Sequence, residues 1–308
     1  MRNPVLPLLF LAISATAGPA VAGVIYVDNR AGNDGRTGTA PVVTSSEDGP
    51  VRTIRKALRL ADTGDTIIIA NHGEPYHEAL TLSGARHSGL PDLPFTIIGN
   101  GAVLDGSLPV PYDAWRRGAE NVWSFKPWRK GFYQLIRDGA PVPEVKVETG
   151  AVLLPEIPAG HWAAWRGQIW FRPHAGFVPS SYRLSFAVEQ TGISMYAVRN
   201  VRISGLEIRY FRQDGVNAHD LCDSVLLHSV KLTGNGRSGV TTAGTSSLSI
   251  MSSELSANRL HSLLITENSI GVVLDSRLSQ PPDLQNMPGQ QPVPGESLDR
   301  SADPFANP

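Results

Sequence analysis

The 308-residue sequence contains a single cysteine, Cys222, so no disulfide can form within the chain and its stability must come from burial and hydrogen bonding. Basic blocks are also missing. Lysine and arginine total 27 against 28 aspartates and glutamates, and the net charge of −1 argues against a nucleic-acid partner. No apolar run is long enough to span a bilayer, so membrane insertion is not expected. The one apolar run near the N-terminus, Val5 to Ala15, follows Arg2 and precedes Ala20-Val21-Ala22. That order of parts is the order of a secretory signal peptide, here over residues 1–22, and predicts a secreted, periplasmic or extracellular protein. The other end, residues 281–308, is rich in proline, with Val293 its one β-branched residue and Phe305 its one aromatic. Such a segment cannot bury enough to offset its ordering entropy and is expected to be a disordered tail.

The chain does carry a repeat. Val201 and Ile203 are echoed by Val225 and Leu227, then by Leu248 and Ile250, at steps of 24 and 23 residues. Gly215-Val216 returns as Gly239-Val240 and Ser262-Leu263, and Asn235 returns as Asn258. A fixed period of this size marks units that bury their apolar faces only by stacking. Apolar positions alternate within each unit, so the units are built of strands. The expected fold class is all-β: a single-stranded right-handed parallel β-helix over residues 23–280, with handedness following the usual crossover preference. Residues 51–62 have helical spacing, with Val51, Ile54, Leu58 and Ala61 on one face, and are expected to cap the N-terminal end of the stack. Between residues 112 and 178 the period is lost. This stretch holds all six tryptophans and an Asp138-Gly139 hairpin signal, and reads as an inserted β subdomain. Most of its tryptophans are expected in its own core, with Trp115, Trp128 and Trp162 as candidates for exposure. A monomer is expected.

Residues 25–38, the segment Gly49-Pro50-Val51-Arg52-Thr53-Ile54 and the segment Gly64-Asp65-Thr66-Ile67-Ile68 resemble the opening of secreted pectate-lyase-like proteins. That group includes alginate and chondroitin lyases and mannuronan epimerases. Gly215 to Asp220, GVNAHD, is similar to the Asp-Pro-His-Asp or Asp-Pro-His-Glu motif of mannuronan C5-epimerases at His219 and Asp220, and departs from it at Asn217 and Ala218. The resemblance implies an exported polysaccharide-active protein, with lyase or epimerase chemistry on an anionic, uronate-containing glycan. No cofactor is fixed by the sequence. Lyases of this group often use Ca²⁺, for which Asp28, Asn33 and Asp34 offer oxygen atoms.

Stacked repeats sort side chains into rows about 4.8 Å apart. After Gly192, Gly215, Gly239 and Ser262 the outward rows are Ser194, Asn217, Thr241, Leu264 and then Tyr196, His219, Ala243, Thr266. Tyr196 and His219 thus meet on one wet face, with Asn217 beside them. Uronate chemistry needs a group at the sugar carboxylate, a base and an acid. Asn217 would bond the carboxylate, His219 would act as base and Tyr196 as acid, with positive charge from Arg237. Asp220, Arg212 and Thr241 complete the site as substrate-binding residues, and no metal ligand is assigned. The plain alternative is a solvated polar row without a task. Two other functions fit the same residues: a non-catalytic glycan-binding or cell-surface protein, and a glycosidase using Asp220 and Glu267, two repeats and roughly 9–10 Å apart. His72, Glu74, His77 and Glu78 read as a solvated loop, and Asn235 with Asn258 as a structural ladder.

Overall fold

The computed structural model describes residues 22–285; most of the signal-peptide stretch and residues 286–308 of the expected tail lie outside the described residues. Apolar alternation drives the architecture. Val201, Ile203, Val225, Leu227, Leu248 and Ile250 are all buried, whereas Arg202, Leu226 and Ser249 between them are half-buried.

The chain is mostly β, with large parallel sheets. One sheet runs Val24–Val27, Thr66–Ile69, Phe95–Asp105, Arg199–Arg209, Asp223–His228, Ser247–Met251 and Ile270–Leu274, each strand parallel to the next. A branch of it stacks Lys231–Thr233, Glu254–Ser256 and Arg277–Leu278. The second parallel sheet runs Leu80–Ser83, Ile193–Tyr196, Asp214–Asp220, Ser238–Thr242, His261–Thr266 and Asp283–Gln285. From Asp223 onward each repeat places one strand in each of these three stacks, whereas Arg199–Arg209 spans the first sheet and its branch. Register follows the period: Val201 pairs Val225 and Val225 pairs Leu248, while Val216 pairs Val240 and Val240 pairs Leu263.

The Gly-Val echo has a steric cause. A Cβ on Gly215 would lie 2.7 Å from the Gly239 carbonyl oxygen and 2.7 Å from a Leu232 methyl, so the stacked turns leave room only for hydrogen. The asparagine ladder holds the neighbouring corner. Buried Asn235 accepts from the Phe211 N–H at 3.1 Å and gives its own N–H and amide to Asn258 Oδ1, both at 3.0 Å. Asn258 in turn donates to the Leu232 carbonyl at 3.0 Å.

Several expectations need correction. The helix is shorter than 51–62, spanning Ile54–Leu60, because Thr53 is its N-cap and Ala61 is already extended. Buried Glu78, expected in a solvated loop, instead accepts from the N–H groups of Ile54 and Arg55 at 2.9 and 3.0 Å and fixes the helix start. Asp283–Gln285, expected within the tail, adds a strand to the second sheet, with Leu284 packed on the core and Asp283 2.9 Å from His261.

The tryptophan-rich stretch forms antiparallel sheets: Trp162–Trp165, Gln168–Phe171, Trp123–Phe125 and Arg116–Arg117 in one, Ser107–Pro109, Leu184–Ala187, Leu135–Arg137 and Ala140–Pro141 in the other. They share a separate core that includes Trp115 and Trp162, so those two are not exposed; Trp128, at 58% exposure, is. The Asp138-Gly139 turn has positive φ at both residues, as a two-residue hairpin requires.

Asn258→Ala removes the acceptor for two Asn235 donors and the donor to Leu232. The expected cost is about 1–3 kcal/mol, seen as a lower denaturation midpoint. An unchanged midpoint would mean that the ladder contributes nothing.

Candidate functional site

The outward face of the second parallel sheet carries a groove of about 530 Å³, within the usual range for a ligand site. Its floor follows one side-chain row. Thr81, Ser194, Asn217, Thr241 and Leu264 are successive register partners, so the floor crosses the strands rather than running along one of them. Tyr196 and His219 stand at the end of the floor where these strands finish. Glu189, Gln190, Gln213 and Arg237 stand at the other end.

Tyr196 and His219 meet, although not by simple register. The ladder shifts after Met195, so Tyr196 pairs with Asp220 along the backbone rather than with His219. Both side chains are nevertheless exposed, and their rings lie 4.9 Å apart at 56°. The pair forms an aromatic wall at the rim.

Asp214, which sequence reasoning passed over, organises the opposite end. It is fully buried and accepts from Arg237 Nε at 2.8 Å, from Ser238 Oγ at 2.7 Å and from Asn217 Nδ2 at 3.4 Å. Arg237 Nη2 completes a bidentate pair with the same carboxylate. These hydrogen bonds hold the Arg237 pKa above the ordinary range, so Arg237 remains a cation with its counter-charge beneath it. Arg237 therefore lines the groove but is not the unpaired positive charge expected of it.

The remaining predicted residues divide. Thr241 lines the floor, and its hydroxyl is 2.6 Å from Ser238 Oγ. Asn217 lies between Ser194 and Thr241, but its amide nitrogen faces Asp214. Arg212 is not brought to the groove. It is buried and donates to the carbonyls of Val188, Lys130 and Gly131, tying the tryptophan-rich sheets to the repeat stack. Burial lowers its pKa, with Arg129 nearby adding to the effect. Asp220 holds a turn: its Oδ1 accepts from the N–H groups of Leu221 at 2.9 Å and Thr245 at 3.4 Å. Glu267 accepts from the adjacent Gly244 N–H at 2.6 Å. The two carboxylates envisaged as a glycosidase pair are thus engaged on one turn, and neither lines the groove.

Gln190 and Gln213 were missed although they are joined at 2.9 Å. Their 23-residue spacing is the repeat itself, so extending the outward row of Ser194 and Asn217 four residues toward the N-terminal side would have found them. At the first loop, Asp28 accepts from the N–H groups of Arg30 and Ala31, and its other oxygen lies 2.9 Å from His72. Asn33 Oδ1 accepts from the Gly35 N–H, and Asp34 accepts from the backbone of Arg52 and Thr53. These oxygens shape the loop. Among the described residues no group of three or more His, Cys, Asp or Glu could hold a metal ion.

No protein-family profile matches the chain, and no curated protein sequence does. A solved glycoside hydrolase is similar in fold. It has a TM-score of 0.57 and 12% identity, over 80% of this chain and 68% of that one. A complex of XylC with xylose matches with a TM-score of 0.44 and 12% identity, over 83% of this chain but 63% of XylC. A GH136 lacto-N-biosidase from Eubacterium ramulus matches with a TM-score of 0.34 and 13% identity, over 82% of this chain and 36% of that one. Identities this low speak to fold alone. The resemblance to pectate-lyase-like lyases and mannuronan epimerases is overturned: no family profile supports it, and a solved structure of similar fold is a glycoside hydrolase. His219 and Asp220 match the epimerase motif in letter only, since Asp220 holds a turn.

Arg237→Met would leave Asp214 buried without its counter-charge, at an expected cost of about 3–5 kcal/mol. Adding Asp214→Asn should restore part of that in thermal denaturation. Equal losses in the single and double variants would argue against a buried charge as the cause.

Proposed function

We propose that the protein binds a saccharide chain in the groove and does not cleave it. The observation that carries this reading is the joining of an exposed aromatic pair, Tyr196 and His219, to a floor of hydroxyl and amide side chains. Flat aromatic faces suit the C–H faces of pyranose rings, and the floor suits their hydroxyls. The floor also crosses successive strands about 4.8 Å apart, giving a linear polymer evenly spaced contacts. A glycoside hydrolase of similar fold supports a carbohydrate ligand.

Binding is favoured over hydrolysis by the carboxylates. Glycosidases commonly place two carboxyl groups on either side of the scissile bond. Among the described residues Glu189 is the one carboxylate residue lining the groove, Asp214 lies beneath it in a hydrogen-bonded cluster, and Asp220 and Glu267 hold a turn. The proposal includes two further elements. The three strands of each repeat wind as successive turns of a parallel β-helix, right-handed by the usual crossover preference. The N-terminal residues direct export, which places the groove where extracellular or periplasmic glycans are met.

Titration calorimetry against a panel of oligosaccharides tests the reading. Binding by the wild type, weakened about tenfold or more in Tyr196→Ala, is the expected outcome. Release of new reducing ends would replace it with the hydrolase reading, and binding to no glycan in the panel would remove it.

A further inference from the structure

The saccharide reading leaves open which sugars the groove accepts, and the hydrogen-bond directions around Asp214 bear on that choice. A carboxylate paired with arginine only accepts hydrogen bonds. Buried Asp214 therefore draws in the donors around it: two guanidinium N–H groups of Arg237, the Ser238 hydroxyl and the Asn217 amide nitrogen. Each of these bonds fixes what remains facing the groove. With its amide nitrogen turned to Asp214, Asn217 points Oδ1 away from it. That oxygen is buried and has no donor among the described residues. The Ser238 proton is given to Asp214, so in the 2.6 Å contact between Ser238 and Thr241 it is Thr241 that donates. Thr241 then offers the groove lone pairs and no proton.

At Asn217 and Thr241 the floor thus offers acceptors. Arg237 in the lining is balanced by the carboxylate below, and Glu189 adds negative charge at the rim. Sugar hydroxyls donate as well as accept and suit such a floor. A uronate carboxylate only accepts; at these two positions it would face lone pairs, with a like charge at the rim and an arginine whose charge is already balanced.

We propose that the groove selects uncharged, hydroxyl-bearing saccharides against uronates, and that Asp214 sets this selectivity as a positioning residue, by orienting Asn217 and Thr241 and by balancing Arg237. This rests on the saccharide reading above, and it reverses the anionic partner expected from sequence. Asp214 touches no ligand itself.

The test uses the full chain and matched oligosaccharides that differ only in carrying CH₂OH or COO⁻ at C6, on glucan, mannan and galactan backbones. Affinities are measured by calorimetry at one fixed salt concentration. The wild type is expected to favour the neutral member of any bound pair by about tenfold or more. In Asp214→Asn, checked for native circular dichroism, the ratio should fall toward one, because Arg237 loses its partner and the Asn217 amide is free to turn. Thr241→Val keeps the shape and the ion pair, so it tests the floor even if Asp214→Asn does not fold. It should weaken the neutral ligand and leave the uronate no tighter. A wild type that binds uronates as tightly as neutral chains, or a Thr241→Val that binds neutral chains normally, overturns the selectivity and leaves the saccharide reading standing. Binding to no member of any pair overturns both.

Discussion

A carboxylate with no exposed surface must be surrounded by donors, and the groove is built around how this chain meets that demand at Asp214. Arg237 supplies the counter-charge, while Ser238 and Asn217 supply further hydrogen bonds. Each donor comes from a strand or turn of the second parallel sheet, so one buried charge ties neighbouring repeats together. Those bonds also set which lone pairs face outward. Stability and recognition are linked here because the side chains that satisfy the carboxylate are the ones that line the floor.

The parallel stacks bring these residues together from separate repeats. Asp214 and Ser238 are register partners, as are Asn217 and Thr241. Glycine at the start of the strand allows backbone to pass close to backbone, and the asparagine ladder fixes the adjacent corner. The tryptophan-rich sheets have their own core and are joined to this edge by Arg212, by the Tyr210 hydroxyl on the Gly139 carbonyl and by Arg259 on Glu144. The groove therefore lies beside a second, separately packed body that reinforces its arginine-bearing end.

Much of this was legible in the sequence because periodicity reports register directly. The echoes of Val201, Gly215 and Asn235 gave strand pairing and the row that became the floor. The Tyr196–His219 contact also followed, although the shift after Met195 means that ring proximity, not strict register, brings the two together. Side-chain direction was not legible. Arg237 and Arg212 looked alike as cations in turns, yet one faces a buried carboxylate of its own sheet and the other faces carbonyls from a segment some 80 residues away. Asp214 escaped notice because an aspartate just before Gly-Val reads as an ordinary strand start. Its burial depends on neighbours that only the stacked structure supplies. The epimerase-like letters at His219 and Asp220 misled for the same reason: a motif names residues and not their partners.

Neutron diffraction from deuterium-exchanged crystals of the ligand-free protein bears most directly on this arrangement, because it locates the hydrogens. Deuterium on Asn217 Nδ2 directed at Asp214, together with a Thr241 hydroxyl deuteron directed at Ser238, is the expected result. An Asn217 carbonyl turned toward Asp214, or a Thr241 deuteron pointing into the groove, would contradict it.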